Sequence, residues 1–307
     1  MPAGHVTLSV VLPNYGSLFG PHDWHRFVDL GRAADDAGVD RVIVVDHVVM
    51  GTSLEQYRWG AFPTAPDAPW LEPHTLVAAM AAVTTRVRLA TNVTIAPLRP
   101  AALLAKQSAT IDVMSRGRFD LGVGAGWQPA EYAAQNLDFS QRGQLLTDTL
   151  GACKALWTQS PATFTSPTLS FGDIYCEPKP LQSGGVPLWV AGTLHPRNLD
   201  RIVRYGDAWV PIMGASLDDI ARGVHVVHGA WEAAGRDPTE LQVRAPLPLV
   251  RRATGTVDIA RSLDAVERVT GAGVTDVTVH LSALVADVDA APVAFAEFAR
   301  AFAAATR

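Results

Sequence analysis

The sequence predicts an α/β fold, a single (β/α)8 or TIM barrel, and three observations point to it. Short runs rich in β-branched residues occur eight times along the 307 residues. Each run is followed by a stretch with apolar residues at helical spacing, and several of these stretches end in glycine. No linker or shift of composition divides the chain, so we expect one domain over residues 1–307.

The eight predicted strands and the helices between them alternate along the whole chain. The strand runs are 6–14, 41–47, 87–97, 118–126, 187–193, 208–213, 241–248 and 276–282. The clearest helical stretches are 24–38, 73–85, 101–114 and 217–235. A doubly wound sheet is the competing architecture, but it would use fewer strands and would carry a nucleotide-binding turn in its first unit.

Two connections are too long for plain barrel turns. Residues 51–72 follow the second strand and contain Tyr57, Trp59 and Trp70. They leave the barrel at its C-terminal mouth, where barrel enzymes carry their chemistry, so we interpret them as a substrate wall or lid that includes Trp59 and Trp70. Residues 159–186 precede the fifth strand and are expected to form an inserted hairpin or an irregular excursion.

Charge and composition exclude several classes of function. The net charge is −5 and there is no basic cluster, so nucleic acid is not an expected partner. No apolar run reaches membrane-spanning length and the N-terminus lacks the pattern of a signal peptide, so we expect a cytoplasmic protein without a membrane partner. No metal is expected, because the two cysteines lack the spacing of a metal site. His22, Asp23 and His25 could bind a metal, but they begin a helix and no further ligands accompany them.

Alternating glycines mark the fourth strand, in the run GRFDLGVGAGWQPAEY at 117–132. Their spacing is one residue short of a dinucleotide-binding turn, and they lie in the fourth unit instead of the first. Alternation places Phe119, Leu121 and Val123 outside the barrel and Asp120, Gly122, Gly124 and Gly126 inside. We expect these glycines to leave a hollow against which a flat ring lies, the alternative being that they relieve crowding or form a bulge.

The run AKQSATIDVMSRGRFDLGVGAGWQPAEYAAQNLDFSQRG at 105–143 resembles the signature of the bacterial-luciferase-like superfamily. The resemblance is closest to its deazaflavin (coenzyme F420)-dependent oxidoreductases and covers roughly residues 5–250, including VVDHVVM, APLRPAALLAKQ, CEPKPLQ, PLWVAG and RYGDAWVPI. The resemblance implies a (β/α)8 barrel that binds reduced FMN or the deazaflavin at its C-terminal mouth. It also implies a homodimer, as relatives often are.

Site residues follow from the same resemblance. Asp46 and His47 end the second strand, where relatives place a catalytic pair beside the flavin-like ring; a histidine suits proton transfer because its pKa is ordinarily about 6.5. Asn92 and Val93 correspond to a bulge behind the ring that is built on a non-proline cis peptide. The remaining cofactor-binding residues implied are the glycines at 122, 124 and 126, Trp127, and the phosphate-binding turn of Gly192 and Thr193.

Two departures from the family pattern bear on the cofactor and the substrate. The arginine that binds the FMN phosphate in a light-emitting relative is replaced by Leu103 or Leu104, which argues against a luciferase-type FMN site. Trp127 stands where sugar-phosphate dehydrogenases of the deazaflavin branch carry an acidic residue, so their substrate is not transferred. Glu131 is the nearest carboxylate, and we expect it to be a solvated residue at a helix start.

The predicted function is therefore hydride transfer between a bound deazaflavin and a small organic substrate, with the cofactor supplying the difficult chemistry. An FMN-dependent monooxygenase is the first alternative. A non-catalytic flavin-binding barrel is the second, and retention of the Asp46–His47 pair speaks against it.

Overall fold

A computed structural model describes residues 6–306, and in it all eight predicted strand runs contribute to one closed parallel sheet. Pairing of Leu89 with Phe119 closes the barrel between the third and fourth runs. The barrel strands are β1 (Thr7–Val11), β2 (Arg41–Val44), β3 (Arg88–Thr91), β4 (Thr94–Ile95), β5 (Phe119–Gly124), β8 (Leu188–Ala191), β9 (Ala208–Val210), β10 (Gln242–Pro246) and β11 (Asp276–His280). The (β/α)8 prediction is confirmed.

Helices lie between the strands and cover the outside of the sheet. They are α1 (Phe27–Ala37), α2 (Pro73–Val83), α3 (Ala101–Met114), α4 (Pro129–Ala134), α5 (Arg142–Thr158), α6 (Pro196–Arg204), α7 (Leu217–Ala233), α8 (Ile259–Leu263), α9 (Val266–Gly271), α10 (Leu281–Leu284) and α11 (Ala291–Ala305). The outward residues Phe119, Leu121 and Val123 of β5 join the main apolar core, as alternation predicted. Within residues 6–306 no helix is both long and apolar enough to cross a membrane.

The second long connection is a hairpin. Its strands β6 (Ala162–Thr165) and β7 (Ser170–Ile174) pair antiparallel outside the barrel. The ring of Phe164 lies against Gly151 of α5, where an added Cβ would come within 2.7 Å of it. The expected inserted hairpin is therefore present, packed on the outside of the barrel.

The barrel interior below the mouth holds a chain of alternating charges. Arg41 bridges two carboxylates, with Nε 2.9 Å from Asp120 and Nη1 2.7 Å from Asp276. Arg88 also binds Asp120, and Arg244 also binds Asp276. Burial favours the neutral acids, but the arginines outweigh it and hold the pKa of both carboxyl groups below their usual range. We call these five residues the interior ion chain.

Candidate functional site

His47 and Glu131 form a buried pair at the C-terminal mouth. His47 follows the end of β2, and Glu131 lies in the first turn of α4, which follows β5. The Nδ1 atom of His47 lies 2.9 Å from Oε2 of Glu131, and the backbone N–H of Val48 donates to Oε1 at 3.0 Å. The histidine is 8% exposed and the glutamate 1%. The expectation that Glu131 is solvated is wrong, because its carboxylate turns inward to meet the Val48 N–H and the His47 ring.

Aromatic side chains surround His47. The ring centroids of Trp70, Trp127 and Phe62 lie 4.6, 5.7 and 5.8 Å from the imidazole, each edge-on to it. Tyr57 packs against Phe62 and Trp127 at 5.1 and 5.4 Å. Three of these residues come from the connection after β2 and one follows β5, so the two loops together form an aromatic enclosure for His47.

The connection 51–72 is fastened at both of its ends. At its start, the Gly51 N–H donates to the side chain of buried Gln128 at 2.7 Å. At its end, Asn14 donates to the carbonyl of Leu71 at 2.7 Å, and the Trp70 ring stacks on Tyr15 with centroids 4.4 Å apart. Between these anchors the connection extends over the mouth, which is the place expected of a substrate wall or lid.

Of the two tryptophans predicted for this lid, only Trp70 contacts His47. Trp59 is exposed and packs edge-on against Tyr57, with ring centroids 5.3 Å apart. Trp70 thus lines the enclosure, and Trp59 lies on its outer side behind Tyr57.

Asp46 has other partners than its neighbour His47. Its Oδ2 accepts from Nη1 of Arg99 at 2.6 Å and from the Ile95 N–H at 2.8 Å, and its Oδ1 accepts from Nη2 of Arg99 at 3.0 Å. Arg99 also binds Glu72 at 2.8 Å. The two residues of the predicted catalytic pair therefore have different partners: His47 contacts Glu131, whereas Asp46 binds Arg99 and the Ile95 N–H. Through these bonds Asp46 joins the loops that follow β2 and β4.

The third strand is interrupted at Asn92 and Val93, and the peptide bond between them is cis, as the resemblance implied. Buried Thr91 and Thr94 flank the interruption, and their hydroxyls lie 3.0 Å apart. The Oδ1 atom of Asn92 is buried and has no hydrogen-bond donor within the described residues. The bulge thus brings an acceptor without a partner to the mouth end of the barrel.

The glycines of β5 make room for this bulge. A Cβ at Gly122 would lie 2.0 Å from the carbonyl oxygen of Thr91, and one at Gly124 would lie 2.7 Å from Cγ2 of Val93. A Cβ at Gly126 would lie 2.8 Å from Cγ2 of Ile95. The expectation that these glycines leave an open hollow is therefore wrong, because the neighbouring strand fills that space. The glycines relieve crowding, which was the alternative interpretation of the sequence.

The turn between β8 and α6 presents backbone donors. Gly192 has φ +117°, a conformation that favours glycine, and Asn198 donates to the carbonyls of Ala191 and Thr193 at 3.2 and 3.1 Å. The amides of residues 193–195 donate to no acceptor among residues 6–306. With the start of α6 and the buried Arg201 nearby, the turn is suited to an anionic group.

Sequence reasoning missed Glu131, Tyr57 and Phe62 as members of the site. Gln128, which precedes α4, and Glu131, three residues later, are both buried, so their spacing at the start of this short helix was the available signal. The aromatic residues had no periodic signal, because the lid has no regular structure. No group of three or more potential metal-ligating side chains occurs within residues 6–306.

Comparisons with known proteins agree with this architecture. The family model of luciferase-like monooxygenases matches residues 1–288. An uncharacterized protein of Mycobacterium tuberculosis is 33% identical over 214 residues, which are 67% of this chain and 73% of the relative. Two solved structures share the fold. The monooxygenase RslO1 from Streptomyces bottropensis has a TM-score of 0.78 at 18% identity, covering 96% of this chain and 99% of that one. An F420-dependent secondary alcohol dehydrogenase has a TM-score of 0.76 at 17% identity, covering 97% and 99%.

The match over 288 residues, with the closed barrel and the bulge in its third strand, identifies the family. This chain belongs to the luciferase-like monooxygenase family.

Proposed function

We propose that this chain is a coenzyme F420-dependent oxidoreductase that transfers hydride between the deazaflavin and a small organic substrate at the barrel mouth. The observation that carries the proposal is the His47–Glu131 pair, buried in an aromatic enclosure at the end of β2. An imidazole held this way is placed to exchange a proton with a substrate. The F420-dependent alcohol dehydrogenase with the same fold supports the choice of cofactor.

The residues of the mouth fit a flavin-like cofactor on two counts. Buried Oδ1 of Asn92 lacks a donor within residues 6–306, and a ring that carries N–H groups would supply one. The free amides of residues 193–195 at the start of α6 suit a phosphate. Arg99 is not available for a phosphate, because Asp46 and Glu72 engage its guanidinium.

In this proposal the cofactor, when bound, supplies the hydride chemistry, and the chain supplies position, dryness and a proton carrier. Asn92 would hold the ring of the cofactor, and the α6 turn would hold its phosphate. The aromatic rings of Phe62, Trp70 and Trp127 exclude water around His47, which strengthens its electrostatic contacts. His47 takes up or releases the proton that accompanies oxidation or reduction of the substrate.

An FMN-dependent monooxygenase is the second candidate, supported by the likeness to the monooxygenase RslO1. Leucines at 103 and 104 leave α3 without an arginine for the FMN phosphate, and this observation favours the deazaflavin.

Titration of the purified protein with deazaflavin and with FMN, followed by fluorescence, tests the choice. We expect micromolar or tighter binding of the deazaflavin and at least tenfold weaker binding of FMN, a gap of about 1.4 kcal/mol. Asn92→Ala should weaken deazaflavin binding, while Gln135→Ala, at an exposed amide residue that ends α4, serves as the control. Tight FMN binding with oxygen-consuming turnover would establish the monooxygenase instead.

We also propose a homodimer. Exposed apolar side chains lie on one face of α3, at Leu103 and Met114, and on the segment after the hairpin, at Tyr175 and Leu181. The two segments are joined where Lys106 donates to the carbonyl of Glu177. Such surfaces are enriched in subunit contacts. Light scattering should show that the wild type is a dimer and that Tyr175→Glu is shifted toward monomer. A monomeric wild type would refute the proposed dimer.

A further inference from the structure

The carboxylate of Glu131 has one fixed donor and one adjustable partner. The fixed donor is the backbone N–H of Val48, at 3.0 Å from Oε1. The adjustable partner is Nδ1 of His47, at 2.9 Å from Oε2, because an imidazole nitrogen either donates or accepts. A carboxylate only accepts, so this contact requires the proton of neutral His47 to be on Nδ1.

The second ring nitrogen of His47 has different surroundings. Within residues 6–306 its Nε2 atom makes no hydrogen bond. The titratable or charged groups near the pair are Tyr15, Tyr57, Tyr132, and Asp46 with its partner Arg99. Burial raises the pKa of Tyr15, Tyr57 and Tyr132, so these phenols stay neutral near neutral pH. Glu131 is therefore the one anion in contact with the imidazole among the described residues.

We propose that Glu131 is a positioning residue that holds the proton of neutral His47 on Nδ1 and leaves Nε2 as the nitrogen that exchanges a proton with the substrate. The inference rests on the proposed function for its catalytic meaning. When Nε2 takes up a proton, the ring becomes an imidazolium, and its new charge is balanced by the carboxylate 2.9 Å from Nδ1. When the proton leaves, the neutral ring returns to the same tautomer.

Glu131→Gln tests this arrangement because a glutamine has one acceptor and one donor. The Val48 N–H is a fixed donor, so the amide oxygen should face it and the amide NH2 should face Nδ1 of His47. The imidazole can then meet the amide only as an acceptor at Nδ1, which moves its proton to Nε2. A near-isosteric substitution thus reverses the tautomer.

The measurement is the nitrogen-15 spectrum of histidine-labelled, cofactor-free protein, with the His47 signals assigned by their loss in His47→Ala. We expect the wild type to carry its proton on Nδ1 and Glu131→Gln to carry it on Nε2. Asp148→Asn is the matched control, since Asp148 is also a buried carboxylate in hydrogen bonds, to Gln144 and Thr168, and has no histidine partner. Its His47 signals should match the wild type.

A wild-type His47 protonated on Nε2 overturns the proposal, and so does a Glu131→Gln variant with an unchanged tautomer. The wild-type spectrum decides the question even where the variant folds poorly. With cofactor and substrate, Glu131→Gln should lower turnover roughly 10²-fold or more and change its pH profile. Because the spectra need no cofactor, a correct tautomer together with absent deazaflavin binding would refute the proposed function and leave this inference standing.

Discussion

The phenolic oxygen of Tyr57 lies 3.7 Å from the sulfur of Met213. Tyr57 belongs to the connection after the second barrel strand, and Met213 follows the sixth. In an eight-stranded barrel these two strands are on opposite sides, so the contact crosses the mouth. The connection after the second strand therefore reaches across the mouth, where its far edge makes a weak contact with a thioether.

Met213→Ala should loosen the lid without weakening the barrel. Met213 is 55% exposed, so its removal costs little burial. We expect faster hydrogen exchange at residues 51–62 and unchanged exchange in the barrel strands. Val226→Ala is the control, since Val226 is 45% exposed and lies on α7. Equal protection of the lid in the wild type and Met213→Ala would show that the contact does not hold it.

His47→Ala should lower turnover roughly 10²-fold or more, because it removes the group that exchanges the proton. Deazaflavin affinity should change much less, since the proposed holding groups are Asn92 and the α6 turn. His225→Ala, at an exposed histidine of α7, is the comparison variant. Steady-state kinetics and fluorescence titration separate the two effects, and unchanged turnover in His47→Ala would assign this residue to packing alone.

Gly122→Ala should destabilise the cofactor-free protein more than Gly124→Ala. The new methyl group at 122 meets the backbone oxygen of Thr91, whereas at 124 it meets a methyl group of Val93, which can rotate away. The loss at Gly122 should be about 1–3 kcal/mol, the range for overpacking. Thermal unfolding measures both variants. Adding Val93→Ala should restore the thermal stability of Gly124→Ala but not that of Gly122→Ala. Restored stability in both double variants would contradict the assigned contacts.

Acid should remove the stability that Glu72 contributes. Burial acts to raise the pKa of Glu72, but hydrogen bonds from Arg99 and Thr75 lower it from 4.5 to about 2. A carboxyl group whose pKa is lower in the folded state stabilises the fold above the unfolded pKa and loses that effect as pH falls. At pH 6 the melting temperature of the wild type should therefore be higher than that of Glu72→Gln. The difference between the two melting temperatures should shrink as the pH falls from 4.5 to 2. A constant difference would exclude this linkage.

Most of the barrel was predictable because strand and helix periods are local properties of the chain. Each strand run lies within one β-branched segment, and the outward set Phe119, Leu121 and Val123 follows from alternation alone. The predicted ends were too long, as in 41–47, where the strand stops at Val44. Val45, Asp46 and His47 leave the ladder to make loop contacts that no local pattern encodes.

The site was harder to predict because its contacts join distant segments. The Glu131 carboxylate is buried by partners 83 and 84 residues earlier in the chain. In the same way, Gly122 is needed because the carbonyl of Thr91 occupies the space of a side chain. Asp46 is engaged by Arg99, which lies 53 residues later in the chain. Resemblance supplied the positions of His47 and the Asn92–Val93 bulge, but only the packed structure supplies their partners.

The interior ion chain restricts how this barrel can be altered. Arg41 pairs with both carboxylates, so replacing Asp120 leaves Arg88 without a carboxylate and replacing Asp276 leaves the buried Arg244 without one. Replacing all the members together with apolar residues leaves no unpaired charge. Gradual drift, one substitution at a time, is therefore blocked at these positions. A designer who wishes to redesign the interior of this barrel must exchange the set as a block, whereas the lid above it can be diversified residue by residue.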